Sequence, residues 1–212
     1  MSKIHFTSAP NNLALHTGDD PLRVAMNRSA LKDQLELDSL QFMEQSHSDV
    51  VRIVDSYNEI DISADALVTQ VPNLGLAVLV ADCIPLLLRS STCVAAVHVG
   101  RVGMTNGIID KTVNAMESLG AKGISAWIGP SICGACYEVS PSMYEEVTAF
   151  FPAAATSAHA HSLDLSRGTI EILRERGIDT QALRICTLED SRYFSYRRDK
   201  TIGRQAGVIS LS

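Results

Sequence analysis

The sequence predicts a layered α/β domain in which a mixed sheet is flanked by helices. Three observations carry this. Apolar runs of strand length recur at 50–54, 66–69, 76–80, 86–88, 93–97 and 124–128. Stretches with helical spacing stand between and after them, at 103–119, 141–151 and 164–176. Strands also outnumber what a plain doubly wound parallel sheet needs, which points to a mixed sheet. At 212 residues the chain suits one domain, 1–212, and it shows no repeat, low-complexity linker or boundary.

In order, residues 1–20 read as an irregular or short-strand entry, with turn signals at Asn11-Asn12 and Gly18 to Pro21. Asp20 followed by Pro21 has the form of an N-cap and a first-turn proline, opening a helix that carries Val24, Leu31 and Leu35 and ends near Glu36. A short segment at 42–46 precedes the run at 50–54. Residues 55–63 are polar and loop-like, and the strand at 66–69 enters the Pro72-Asn73 turn. The stretch 75–107 holds three apolar runs, the last ending on His98. The helix at 103–119 stops at Gly120. The strand at 124–128 delivers Gly129-Pro130, and Ser140 caps the helix at 141–151. Residues 153–162 are the least structured part. An amphipathic helix at 164–176 and two late strands, 185–188 and 206–211, complete the chain.

Composition excludes several classes. The chain is 46% hydrophobic and 20% charged, as in an ordinary globular protein. A net charge of −6 argues against a nucleic-acid or anionic-membrane partner, which needs clustered Lys and Arg. The one dense basic cluster, Arg197, Arg198, Lys200 and Arg204, suits a small anion better than a duplex. No apolar run approaches the ~20 residues of a membrane span, and the N-terminus has no apolar signal-peptide core. An odd number of cysteines, five, speaks against dependence on disulfides and for a reducing cytoplasm. Nothing in the sequence specifies an oligomeric state.

The chemistry-bearing residues sit at the ends of apolar runs. Cys83 follows Asp82 at the end of one. It reads as a small buried hydrophobe, a thiolate nucleophile or a metal ligand. His98 lies at the end of another, before Gly100. Antiparallel strands joined by a short turn would bring Cys83 and His98 to one sheet edge. His47 lies between Ser46 and Ser48, before a strand. Cys with two His makes a three-ligand set that leaves one position for water, as in catalytic zinc sites, although the spacing is no local metal motif. Asp82 is placed to orient a ligand His or to act as general acid or base. Cys133 and Cys136 form a C-x-x-C, readable as a redox or metal pair or as structural use; no second C-x-x-C completes a zinc ribbon. Arg197 and Arg198, with Arg101 three residues after His98, are candidates for holding phosphate, since guanidinium groups donate paired hydrogen bonds to its oxygens.

Several segments together resemble the bacterial laccase-domain family: ADALVTQVPNLGLAVLVADCIPLLL, AAVHVGRVG, WIGPSICGACYEV, YFSYRRDKTIGRQA, NLALHTGDDP and QSHSDVV. The resemblance spans nearly the whole chain in order. Members of that family have been called polyphenol oxidases, peptidoglycan-editing factors and, more recently, purine nucleoside phosphorylases with adenosine deaminase activity. The resemblance implies a compact layered α/β domain shared with cysteine-hydrolase-like proteins. It implies zinc held by His47, Cys83 and His98, with a purine nucleoside and phosphate as small-molecule partners. In the family pattern a Gln-x-His segment falls on His47, Ala-Asp-Cys-x-Pro on Ala81 to Pro85 and His-Ala-Gly on His98 to Gly100. Cys136 matches the second of a frequent Cys pair, and places it among the pocket residues. The chain departs from the pattern at Ser48, usually Gly, at Val102, usually Arg, and at Ala135, in place of the first paired Cys. The N-terminal Gly-Gly-Val-Ser loop is missing as well.

The resulting expectation is a zinc-dependent enzyme that phosphorolyses adenosine- or inosine-type nucleosides and can deaminate adenosine. Three alternatives stand beside it. A copper-dependent polyphenol oxidase would use the same His2Cys set, but multicopper oxidation needs more His than the six present. A metal-free cysteine hydrolase would use Cys83 and His98 as nucleophile and base. A non-enzymatic peptidoglycan-editing factor would only bind a muropeptide.

Overall fold

The computed structural model describes residues 3–156 and 161–211. The first half runs β1 (Lys3–Phe6), α1 (Pro21–Gln34), β2 (Ser39–Gln41), β3 (Met43–Glu44), β4 (Val51–Ile53), β5 (Ile62–Ser63), β6 (Ala66–Thr69), β7 (Leu74–Val80), β8 (Ile84–Arg89) and β9 (Val94–Val99). The second half runs α2 (Arg101–Thr105), α3 (Ile108–Ser118), β10 (Ser125–Ile128), α4 (Pro141–Phe150), α5 (Leu165–Glu175), β11 (Asp179–Ala182), α6 (Tyr196–Asp199) and β12 (Gln205–Ser210).

The expected mixed sheet resolves into two. One has the order β1-β12-β7-β2 and the other β11-β10-β8-β9-β6-β4, with β3 and β5 forming a small ribbon. Both larger sheets are mixed. β2 runs parallel to β7, β4 to β6 and β11 to β10, and the remaining pairs are antiparallel.

Period-two alternation explains how the layers stack. Leu74, Leu76, Val78 and Val80 of β7 meet Leu87 of β8 and Val94 and Ala96 of β9 in a core between the sheets. The opposite residues, Ala77 and Leu79, pack with Leu31 of α1 in an outer core. On the far side, Ile84, Leu86 and Leu88 join Ala95, Val97 and Val99 beneath α3 and α5. The result is four layers, α/β/β/α. β7, β8 and β9 read as continuous apolar runs because both faces of each strand are covered. Each leucine buried in this way contributes about 1.5–3 kcal/mol.

Local signals behave as their chemistry requires. Asp20 Oδ1 accepts the Leu22 amide at 3.0 Å and Pro21 occupies the first helical position. Ser140 Oγ accepts the Met143 amide at 3.3 Å. Two expectations need correction. The single helix over 103–119 is two, α2 and α3, broken at Gly107, whose φ of +81° has no place inside a helix. The late strand at 185–188 is a loop that touches Ser131 through one bridge at Cys186, and the strand is β11, just before it. Of the segment 153–162, residues 157–160, including His159, lie outside the described residues. Its start is a 3-10 turn, Pro152–Ala154. Among the described residues no helix is long and apolar enough to cross a membrane.

Candidate active site and metal centre

The site forms where the inter-sheet layer opens at one end. In the β8–β9 hairpin, Pro85 pairs with His98. Alternation puts His98 on the face of β9 that also carries Val94 and Ala96, toward the inter-sheet core. Cys83, just before β8, packs at the edge of the same core. His47 arrives from the loop between β3 and β4. Its Nε2 lies 3.7 Å from Cys83 Sγ, and its ring meets that of His98 edge-on, with centroids 4.7 Å apart. The expected Cys–His–His set is therefore assembled from three separate segments.

A residue that the sequence reading passed over holds the set together. Asp65, just before β6, is fully buried. Its Oδ1 accepts His98 Nδ1 at 2.8 Å and the His47 amide at 3.0 Å. Its Oδ2 accepts the Ser48 hydroxyl at 2.6 Å and the amides of Ser48 and Ser46 at 2.7 and 3.2 Å. Burial alone would raise the Asp65 carboxyl. The hydrogen bonds from His98 and Ser48 outweigh it and hold the group well below the usual carboxylate range. With Nδ1 spent on Asp65, His98 presents Nε2 to the site. His47 has a φ of +61°, uncommon for a residue with a side chain, and Asp65 pins that turn through three consecutive amides. Ser48, where the family pattern has Gly, adds its hydroxyl to the same carboxylate.

The electrostatics suit a metal ligand set. Burial works against a Cys83 thiolate, but the His98 charge and the His47 hydrogen bond bring the thiol down to about 6. Burial likewise opposes a charged His98, and the Cys83 and Asp65 charges raise it to about 9. Tetrahedral zinc, with bonds of ~2.3 Å to sulfur and ~2.0–2.1 Å to nitrogen, spaces such ligands about 3.6 Å apart. The 3.7 Å between Cys83 Sγ and His47 Nε2 fits that without rearrangement. The three candidate ligand atoms all lie within 4.8 Å of one another. Gly100 gives them room, since a Cβ there would stand 2.9 Å from His47 Cδ2 and 3.3 Å from Cys83 Sγ.

A cavity of about 520 Å3 opens over His47, Cys83 and His98. Asp82 and Gln45 line it beside them, and Gln45 is fixed by paired bonds to the Leu79 backbone, both 2.8 Å. Its walls also carry His16, Tyr137, Tyr196, Arg197, Lys200 and Arg204. Of these, Arg197 was picked out as a site residue from sequence, and Lys200 and Arg204 belonged to the basic cluster read as suiting a small anion. His16 and the two tyrosines lie within segments that carried the resemblance, but nothing in their spacing marks them as lining one cavity. Another cleft of about 490 Å3, lined by Arg28 and Asp61, holds no Cys or His.

The remaining candidates are placed differently. Asp82, at a φ of +92°, binds the Thr187 hydroxyl through Oδ1 at 2.8 Å and the Arg197 amide through Oδ2 at 2.7 Å. The carboxylate bonded to His98 is Asp65, not Asp82. Arg101 is not among the residues that line the cavity; it lies 3.9 Å from Glu146, and its charge partly offsets the burial that raises the Tyr137 phenol. The Arg198 guanidinium is spent on the backbone oxygens of Thr187, Leu188 and Tyr193. Cys136 lies in a separate cluster with Cys133, Cys186 and Glu189.

Fold and site together define an α/β protein with an open cysteine–histidine centre at the floor of a cleft. Residues 1–212 match the family described as multi-copper polyphenol oxidoreductase laccase, and the chain belongs to that family. It is 44% identical over 214 residues to a protein of Corynebacterium glutamicum named purine nucleoside phosphorylase, covering 94% of this chain and 86% of that one. A Streptomyces coelicolor protein of the same name is 41% identical, covering 94% and 87%. The fold is similar to crystal structures of a Bacillus licheniformis protein called YfiH (TM-score 0.88, 27% identity) and of a Neisseria meningitidis protein (TM-score 0.86, 28% identity). Each covers 100% of this chain and 93% of the other.

Proposed function

We propose that this protein is a zinc-dependent purine nucleoside phosphorylase. The observation that carries the reading is one cavity joining His47, Cys83 and His98 to two tyrosines and three cationic side chains. The names of its relatives support the same reading. Phosphorolysis transfers the ribosyl group from a purine to phosphate, giving free base and ribose 1-phosphate. A site for it needs a flat apolar surface for the base and fixed cations for a dianion. Tyr137 and Tyr196 offer the surface, and Arg197, Lys200 and Arg204 offer the charge.

The chain's own residues have distinct tasks in this reading. Asp65 fixes the His98 tautomer and the His47 turn, so both imidazoles reach the ligand position already oriented. Asp82 holds the Arg197 amide and thereby sets the first residue of the cationic wall. Its carboxyl is also the acidic group at that wall that could exchange a proton with the departing purine. Two imidazoles and one thiolate fit zinc with one coordination position left for substrate or water. Zinc held there supplies Lewis acidity, polarising an oxygen beside it. The same centre would serve adenosine deamination, in which water displaces the 6-amino group.

A second reading has its own observation. Cys83, His98 and Asp65 stand in the order of a nucleophile, base and orienting carboxylate, with a thiol already lowered to about 6. That is the arrangement of a metal-free cysteine hydrolase. Metal removal separates the two. The zinc reading predicts that chelated protein loses adenine release from adenosine plus phosphate and regains it with added zinc. Full activity in chelated protein would favour the hydrolase. Adenine release that needs phosphate marks phosphorolysis, and inosine formed without phosphate marks deamination.

A further inference from the structure

The C-x-x-C of Cys133 and Cys136 looks incomplete in the sequence because its partners lie some fifty residues on. The fold brings them in. Cys133 and Cys136 flank a tight turn in which the Cys136 and Tyr137 amides both donate to the Cys133 carbonyl, at 3.0 and 3.1 Å. The loop at 185–190 runs alongside. The Ser131 amide donates to Ile185 O and the Thr187 amide to Ser131 O, each at 3.1 Å. This pairing lodges Cys186 beneath the turn, where its Sγ accepts the Cys133 amide at 3.4 Å. One turn further on, Glu189 Oε1 lies 3.6 Å from Cys136 Sγ. The three sulfurs and a Glu189 oxygen all lie within 4.8 Å of one another.

We propose that Cys133, Cys136, Cys186 and Glu189 form a second metal site, closed and structural, selective for a thiophilic divalent cation such as zinc. Three thiolates and a carboxylate are a donor set suited to zinc. Tetrahedral zinc places sulfur ligands about 3.8 Å apart and a sulfur and a carboxylate oxygen about 3.6 Å apart. The observed 3.6 Å matches the second spacing, and with all donor atoms within 4.8 Å no pair of sulfurs has to close by more than about 1 Å to reach the first. Thiols ligate as thiolates, and a cation held among the three sulfurs favours that form. The N–H donated to Cys186 Sγ is the kind of outer contact that supports a thiolate ligand. Four protein donors leave no open position, so the site binds rather than reacts.

The position gives it a task. Ile132, between the bridged loops, donates its amide to Asp82 O at 2.9 Å, and Thr187 holds Asp82 Oδ1. Tyr137, in the cavity wall, directly follows Cys136. A metal here would tie together the two loops that carry this side of the cleft.

The test is a metal count on protein purified in reductant without added metal, which does not depend on which reaction the cleft performs. Wild-type protein should hold two zinc per chain. Cys186→Ser and Cys136→Ser should each hold one, and His47→Ala, which damages only the other site, should also hold one. Should the cysteine variants fail to fold, alkylation mapping of the wild-type protein decides. Chelation should expose Cys133, Cys136 and Cys186 and lower Tm, and zinc should protect them and restore it. One zinc per chain with these three thiols freely alkylated, or a disulfide between Cys133 and Cys136 in the reductant-purified protein, overturns the proposal.

Discussion

Asp65 and His98 are joined twice: the Asp65 carbonyl accepts the His98 amide at 2.8 Å, and Asp65 Oδ1 accepts His98 Nδ1 at 2.8 Å. The backbone bond belongs to the pairing of β6 with β9, so the sheet itself sets the distance between carboxylate and imidazole. Asp65→Asn keeps the size and loses the charge. It should weaken zinc binding at the first site by about 10–100-fold, as loss of an outer-shell partner does. Asp65→Ala should in addition destabilise the fold by on the order of 3–5 kcal/mol, because it leaves the buried His98 and three part-buried amides without their acceptor. Competition with a zinc indicator and thermal unfolding measure the two effects.

Gly100 is predicted to be a site residue by its emptiness. In Gly100→Ala the new methyl would press on His47 Cδ2, 2.9 Å away, and on Cys83 Sγ. Zinc affinity at the first site should fall at least tenfold with little change in Tm. Gly107→Ala is the contrasting case. It meets nothing within 4 Å but sits at a φ of +81°, so it should cost about 1–2 kcal/mol and leave metal binding unchanged.

Cys83 in metal-free protein should behave as a low-pKa thiol. With the group brought down to about 6 by the His98 charge and the His47 bond, the thiolate predominates at neutral pH. Iodoacetamide should modify it with a midpoint near pH 6, the rate falling about tenfold per pH unit below that as the thiol is protonated. His98→Ala removes the largest opposing charge and should move the midpoint up toward the ordinary thiol range. Zinc should protect Cys83 in the wild-type protein. Mass mapping of the modified cysteine gives the readout.

Two adjacent arginines should separate cleanly. Arg197 lines the cavity, so Arg197→Ala should raise the phosphate KM by about 10–100-fold, the worth of a hydrogen bond to a charged group. Arg198 holds the Thr187 and Tyr193 carbonyls, at 2.8 and 2.9 Å. Arg198→Ala should lower Tm and change the phosphate KM less than Arg197→Ala does.

The residues that were legible in the sequence share a physical cause. β7, β8 and β9 are covered on both faces, so they stand out as apolar runs, and the reactive residues at their ends stand out with them. β11 does not, because Asp179–Ala182 is a polar edge strand paired on one side only. Its apolar neighbour 185–188 took the strand reading instead. Asp65 was illegible for a related reason. An Asp before an apolar run reads as a turn, and its partners Ser46, His47, Ser48 and His98 are 17 to 33 positions away. Residue types alone set out His47, Cys83 and His98 as a three-ligand set, but only the family resemblance favoured it, since their spacing forms no local motif. The four-residue cluster at Cys133 had no such help, because a C-x-x-C alone does not reveal Cys186 and Glu189. Arg101 and Arg198 read as phosphate holders by charge and place in the sequence, and Cys136 as a pocket residue by the resemblance, yet the fold uses Arg198 to brace a loop and places Cys136 beside Cys186 and Glu189.

The central claim is that phosphorolysis depends on a metal held by His47, Cys83 and His98. The most direct measurement follows adenine and ribose 1-phosphate formed from adenosine and phosphate while zinc is titrated into chelated wild-type, His47→Ala and Cys83→Ser proteins. Wild-type activity should rise from near zero and saturate as the first site fills, and neither variant should recover under the same titration. Phosphate-dependent adenine release that is equal in chelated and zinc-loaded wild-type protein, or that survives in His47→Ala, would contradict it.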